Sequence, residues 1–146
     1  MKSFRNENGF SLIELLLVVV IIGIVAAIAV PAYQKSRRAA ENGSTFAIMR
    51  TIGSTQVGFF SQNNRFGTLP ELQGTLNNSL GTTVVDKVFR GTYVFEMNPA
   101  SPTPNDLATE YVITATRSIP GETIYKYEIN QSGKITRILP TGGPED

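Results

Sequence analysis

The sequence predicts an α+β fold: one long N-terminal α-helix, apolar in its first half and amphipathic in its second, packed on a C-terminal antiparallel β-sheet of about four strands. Three observations carry this reading. No charged residue occurs from Leu15 to Gln34, and Leu15 to Val30 is apolar throughout apart from Gly23. Beyond Pro31, apolar residues recur at helical spacing at Ala39, Phe46, Met49, Ile52, Phe59 and Phe60. Later segments alternate aromatic or aliphatic residues with polar ones, the period of a half-buried strand.

Composition removes several classes of function. Among 146 residues there are 13 Lys and Arg against 12 Asp and Glu, so net charge gives no bias toward nucleic acid or anionic lipid. The absence of Cys and His excludes disulfides, thiol chemistry, the usual Ser and Cys triads and Cys/His zinc sites. Glu96, Asp106, Glu110, Glu122 and Glu128 are scattered without metal-ligand spacing, and no Gly-rich phosphate loop is present. Asp106 with Glu110 reads as a solvated loop in preference to a calcium site. No catalytic, cofactor-binding or metal-binding residue is therefore predicted, and no enzyme.

A helix needs about 20 apolar residues to cross the hydrocarbon core of a bilayer, and the run from Leu12 onward reaches that length. A cleaved secretory signal peptide and a plain single-pass anchor both compete for such a segment, the former helped by Ala26-Ala27-Ile28-Ala29. Neither accommodates Glu14, an ionisable group at the start of the apolar run. A charge inside hydrocarbon costs roughly 2.5–3.5 kcal/mol on insertion scales, so an intramembrane carboxylate is a functional residue by default.

Gly9-Phe10-Ser11-Leu12-Ile13-Glu14-Leu15, behind the short polar leader Met1–Asn8, resembles the class III signal of type IV pilins and pseudopilins. The resemblance implies a leader, residues 1–9, removed between Gly9 and Phe10 by a prepilin peptidase on the cytoplasmic face. It also implies N-methylation of Phe10. In the filament, it implies that the Phe10 amine of one subunit meets Glu14 of its neighbour, which would set axial register. Gly23 and Pro31 fall where members of that family place helix-loosening residues. Charges flanking the helix (Lys2 and Arg5 before, Lys35, Arg37 and Arg38 after) leave orientation undecided, and the resemblance puts the leader inside.

Residues 10–31 are thus expected to form a transmembrane and filament-core helix and 32–63 an amphipathic helix on the head. Two alternatives stand at Pro31, a continued but loosened helix or a stop at Val30 with Pro opening the next helix. Lys35, Arg38, Glu41 and Asn42 are assigned to the solvent side. The head occupies 64–146. Gly67 to Arg90 reads as loop with a short helix around Pro70–Leu72. Strands are expected at Thr92–Met97, Glu110–Thr116, Ile124–Ile129 and Lys134–Leu139, with a Pro-rich loop Asn98–Asn105 and a flexible tail from Pro140. Tyr93, Phe95, Ile113, Tyr127 and Ile129 should bury against Phe46, Met49 and Phe59.

The function implied is a structural subunit of a bacterial type IV pilus, used for motility, adhesion or DNA uptake. It is expected to start as a single-pass inner-membrane precursor in a Gram-negative bacterium and to end in an extracellular filament. Implied partners are further copies of the chain, the prepilin peptidase, the inner-membrane assembly machinery and the membrane before assembly. Rival readings are a type II secretion pseudopilin and a minor pilin serving as adhesin or DNA receptor. The pseudopilin's loop rich in Pro, Asp and Trp is not found, and the chain has no Trp. A DNA receptor calls for a basic stripe, whereas Lys87, Arg90, Lys126, Lys134 and Arg137 alternate with acids.

Overall fold

The computed structural model describes residues 9–141. The first element, α1, runs Leu12–Asn63, 52 residues, with Pro31 inside it. Of the two readings at Pro31, the helix continues. Contacts divide the chain at Arg38/Ala39 into an N-terminal stretch and a compact head. Within the N-terminal stretch, every residue from Leu12 to Arg37 is exposed. An unburied helix of this hydropathy is long and apolar enough to cross a membrane.

The head is built on the second half of α1. Helix α2 spans Leu69–Thr75, and six strands follow: β1 Thr82–Val84, β2 Lys87–Arg90, β3 Tyr93–Met97, β4 Val112–Arg117, β5 Tyr125–Asn130 and β6 Ile135–Leu139. They form one sheet in chain order, each strand antiparallel to the next. The α+β class is as expected, but among the described residues the strand count is six instead of about four. The additional hairpin, β1–β2, lies in the stretch read as loop. Its strands are too short for a period-two signal, and Val85-Asp86 at its turn lacks the Gly or Asn that marks a hairpin.

Period-two alternation places one face of the sheet on the helix. Phe95, Ile113, Ala115 and Ile129 are essentially inaccessible, as are Met49 and Ile52 opposite them. Tyr93 and Tyr127 are also buried, and Phe46 packs edge-on against Tyr127 at 4.7 Å between ring centroids. Phe46 and Phe59 themselves are only partly buried. Helix and sheet approach closely at Gly53, where an added Cβ would lie 3.1 Å from Ile129 Cδ1.

One assignment is corrected. Glu41 and Asn42, expected on the solvent side, face the sheet: Asn42 is buried and its Oδ1 accepts a hydrogen bond from Tyr93 Oη at 2.6 Å. Conversely, Ala39 is exposed. Apolar periodicity cannot register a polar residue that is buried because its partner waits on another strand.

Two buried glutamines hold the passage from helix to sheet. Gln56, fully buried, donates to Gly67 O (2.8 Å) and accepts from Gly67 N (2.7 Å). Gln73 does the same between Leu80 N (2.9 Å) and Gly81 O (2.6 Å). Gly81, at φ 151, has no room for a side chain, since a Cβ would meet Phe89 O at 2.4 Å. Replacing Gln56 with Leu should destabilise the head by about 2 kcal/mol, because both backbone groups of Gly67 lose their partner in a dry site. Denaturant unfolding of the detergent-solubilised chain measures this, and a loss near zero would count against the clamp.

Helix α2 begins with a capping box: Thr68 Oγ1 accepts from Glu71 N, and Glu71 accepts from Thr68 N at 2.8 Å. Arg65 donates to the same carboxylate (3.0 Å to Oε2) while its guanidinium lies 5.3 Å from the Phe59 ring centroid. The hydrogen bond from Arg65, joined by those from Thr68, holds the Glu71 carboxyl down at about 2. Its folded value lies below the unfolded one, so its stabilisation is complete above the ordinary carboxylate range and is lost as pH falls toward 2. The pair is partly exposed, so the contribution is about 1 kcal/mol. The protection of the α2 amides, taken relative to their intrinsic exchange rates, should fall between pH 4.5 and 2.5 in the native chain, and Glu71→Gln should flatten that dependence.

Candidate assembly site

The residues singled out for processing and assembly lie at the start of α1. Gly9, Phe10 and Ser11 precede the helix and are exposed. The Ser11 carbonyl accepts the Leu15 N–H at 3.1 Å, so Ser11 occupies the capping position and Glu14 the first turn. Phe10 therefore lies outside the helical repeat, and the one-turn face it would share with Glu14 inside a helix is not formed in this chain. Glu14 is exposed and sits where a helix dipole favours a carboxylate, by about 0.5 kcal/mol. The leader residues 1–8 lie outside the described residues, as does the tail beyond 141.

Among the described residues, no group other than its chain neighbours lies within 4 Å of where a Cβ on Gly9 would stand. Gly23 is equally unencumbered, and both Gly23 and Pro31 lie within α1. Pro31 supplies no N–H to the carbonyl of Ala27, leaving one backbone acceptor unused in an apolar stretch. Leu12, Ile13, Ile22 and Ile28 are among the large apolar side chains that remain exposed around this segment. Such a surface needs lipid or other protein around it.

Among the described residues no group of three or more metal-ligating side chains occurs. Of the head cations, Lys87 pairs with Glu96 (2.8 Å), and Arg90 donates to the carbonyls of Ser79 (2.6 Å) and Leu80 (3.4 Å).

The description "Prokaryotic N-terminal methylation motif" belongs to the protein family whose signature matches residues 4–30. The chain is 40% identical over 61 residues to "Type IV major pilin protein PilA" of Myxococcus xanthus, covering 42% of this chain and 28% of that protein. It is 38% identical over 81 residues to "Type IV major alpha-pilin" of Moraxella bovis, covering 53% and 48% respectively. It is 31% identical over 91 residues to "Type IV major pilin protein PilE1" of Neisseria gonorrhoeae, covering 62% and 51%. By motif and relatives, the N-terminal part of the chain is similar to type IV major pilins. The chain spans at most about half the length of these three pilins.

A polar cluster in the head escaped the sequence reading. Arg117, at the end of β4 and 3% exposed, donates from Nε to Glu41 of α1 (3.0 Å) and from Nη2 to Glu122 (2.7 Å). Thr92 Oγ1 also donates to Glu41 at 3.2 Å. Burial pushes the Tyr93 hydroxyl well above its usual range, so it remains a neutral donor to Asn42. These contacts fasten the second half of α1 to β3, β4 and the loop after β4. The partners are 76 residues apart (Glu41 and Arg117), and no local pattern could have paired them.

Proposed function

We propose that the chain is a precursor cut between Gly9 and Phe10, methylated on the new Phe10 amine, and polymerised through residues 10–31 into an extracellular filament. The observation that carries this is an exposed apolar helix headed by Gly9-Phe10 and Glu14. In lipid the precursor buries that surface against acyl chains, and in a filament it buries it against other copies. Glu14 is the discriminating group. Unpaired in an apolar core it is costly, and paired with a neighbour's Phe10 amine it fixes axial register. Gly23 and Pro31 let the helix loosen as it leaves the membrane.

The partners that follow are the prepilin peptidase, the inner-membrane assembly machinery and further copies of the chain. A Gram-negative host and a role of the fibre in motility, adhesion or DNA uptake extend the same reading. The engaged head cations give DNA binding no separate support.

Co-expression with and without a prepilin peptidase tests the processing step. With the peptidase the membrane-bound chain should lose residues 1–9, and Gly9→Val should prevent the loss. A chain that keeps Met1 beside an active peptidase would overturn the proposal.

A further inference from the structure

Three Asn-x-Ser triplets lie in the sequence: Asn42-Gly43-Ser44, Asn77-Asn78-Ser79 and Asn130-Gln131-Ser132. Without Pro in the middle, such a triplet is the acceptor pattern for N-linked glycans on surface loops of exported proteins. The fold separates the three. Asn42 is buried within α1 and accepts the Tyr93 hydroxyl, so its amide is out of reach. Asn77 is exposed in the turn after α2, but among the described residues no hydrogen bond joins its side chain to Ser79. The residue two before it is Thr75, which carries no charge.

Asn130-Gln131-Ser132-Gly133 forms the turn between β5 and β6. The Gly133 N–H closes it onto the Asn130 carbonyl at 2.9 Å, and Gln131, Ser132 and Gly133 are exposed. Asn130 Oδ1 accepts from Ser132 N (3.0 Å) and from Ser132 Oγ (2.7 Å). The amide and the hydroxyl of the triplet are thus held side by side at an exposed turn. Both bonds fall on the amide oxygen, leaving Nδ2 outside the turn's own hydrogen bonding. An Asn that opens a turn needs only that oxygen. Turn chemistry does not call for a carboxylate two residues earlier, yet Glu128 stands there. It lies on the face of β5 opposite the buried Tyr127 and Ile129, and Asn130 shares that face. The strand period puts the two residues about 7 Å apart.

We propose that Asn130 is the acceptor of an N-linked glycan, with the Ser132 hydroxyl and the Glu128 carboxylate as the groups a membrane-bound transferase reads. The donor is a sugar carried on a lipid diphosphate. Asn130 Nδ2 bonds to the anomeric carbon of that sugar and gives up one proton to a base of the transferase. The bond from the anomeric carbon to the phosphate oxygen breaks, and its electron pair leaves with the diphosphate. Ser132 offers a donor and acceptor beside the reacting amide, and Glu128 offers a charge for a cation of the transferase. The modification goes beyond the filament reading and rests on it only in requiring the head to lie outside the cytoplasm.

Co-expression of the full chain with a bacterial oligosaccharyltransferase and its lipid-diphosphate-linked oligosaccharide tests this. The readouts are intact mass and mass spectrometry of the tryptic peptide 127–134, cut after Lys126 and Lys134. Protease added outside the inner membrane reports export of the head independently. The native chain should carry one whole glycan on that peptide, and Ser132→Thr should keep it. Asn130→Asp preserves the oxygen that holds the turn but has no Nδ2, so it should abolish the glycan while leaving the melting temperature little changed. Glu128→Gln should lower occupancy several-fold. A glycan retained in Asn130→Asp, or found on Asn77 instead, would overturn the assignment. So would an exported chain left unmodified while a control acceptor in the same cells is modified. Unchanged occupancy in Glu128→Gln would overturn the part given to Glu128. A head shielded from the protease would overturn the filament reading, and this modification with it.

Discussion

Replacing Glu14 with Ala should leave the precursor inserted and processed but reduce filament yield by about 100-fold. The size follows from roughly 3 kcal/mol for a charge left without its partner in an apolar surrounding, a penalty taken at each subunit added. Glu14 lies in the first turn of α1, within the stretch that ends at Arg38 and outside the unit that forms the head. Head stability should therefore be unchanged, which separates an assembly defect from a folding one. Glu14→Gln should resemble Ala, whereas Glu14→Asp should retain part of the yield, because charge matters more than length. The measurement is the ratio of chain in sheared fibres to chain in membranes. Normal fibres from Glu14→Ala would remove the register role.

The second large effect belongs to Arg117. Arg117→Met should destabilise the head by about 3 kcal/mol, at the lower end for breaking a buried pair because Glu41 keeps some contact with solvent. Arg117 is itself imperfectly satisfied: its Nη1 has no hydrogen-bond partner among the described residues. Taking both members away should therefore be far milder than taking one. The double variant Arg117→Met with Glu41→Leu should recover most of the loss, while Glu122→Gln, at an exposed partner, should cost less than about 1 kcal/mol. Denaturant unfolding of the native chain, Arg117→Met, Glu41→Leu and the double variant supplies the cycle. A double-variant loss equal to the sum of the two single losses would show that Glu41 and Arg117 are not coupled.

The long helix was legible because its two signals are strong and local: an uninterrupted apolar run, then apolar residues at helical spacing. Strands β3 to β5 were legible because each alternates over five or six residues. The β1–β2 hairpin was hidden by its brevity and by a turn residue that contradicts its own backbone angle. Glu41 and Asn42 were misassigned for a different reason. A charged or amide residue on a helix reads as solvent-facing unless its partner is known, and Arg117 and Tyr93 are distant in sequence. At the assembly site, Gly9, Phe10 and Glu14 were read from a motif, while the structure adds that Phe10 stands before the helix begins.

Mass spectrometry of fibres sheared from cells expressing the chain, with electron microscopy of the same material, tests the filament reading most directly. The account predicts long fibres whose subunit begins at methylated Phe10. Fibres built from a chain that retains Met1, or a processed chain that never leaves the cell envelope, would contradict it.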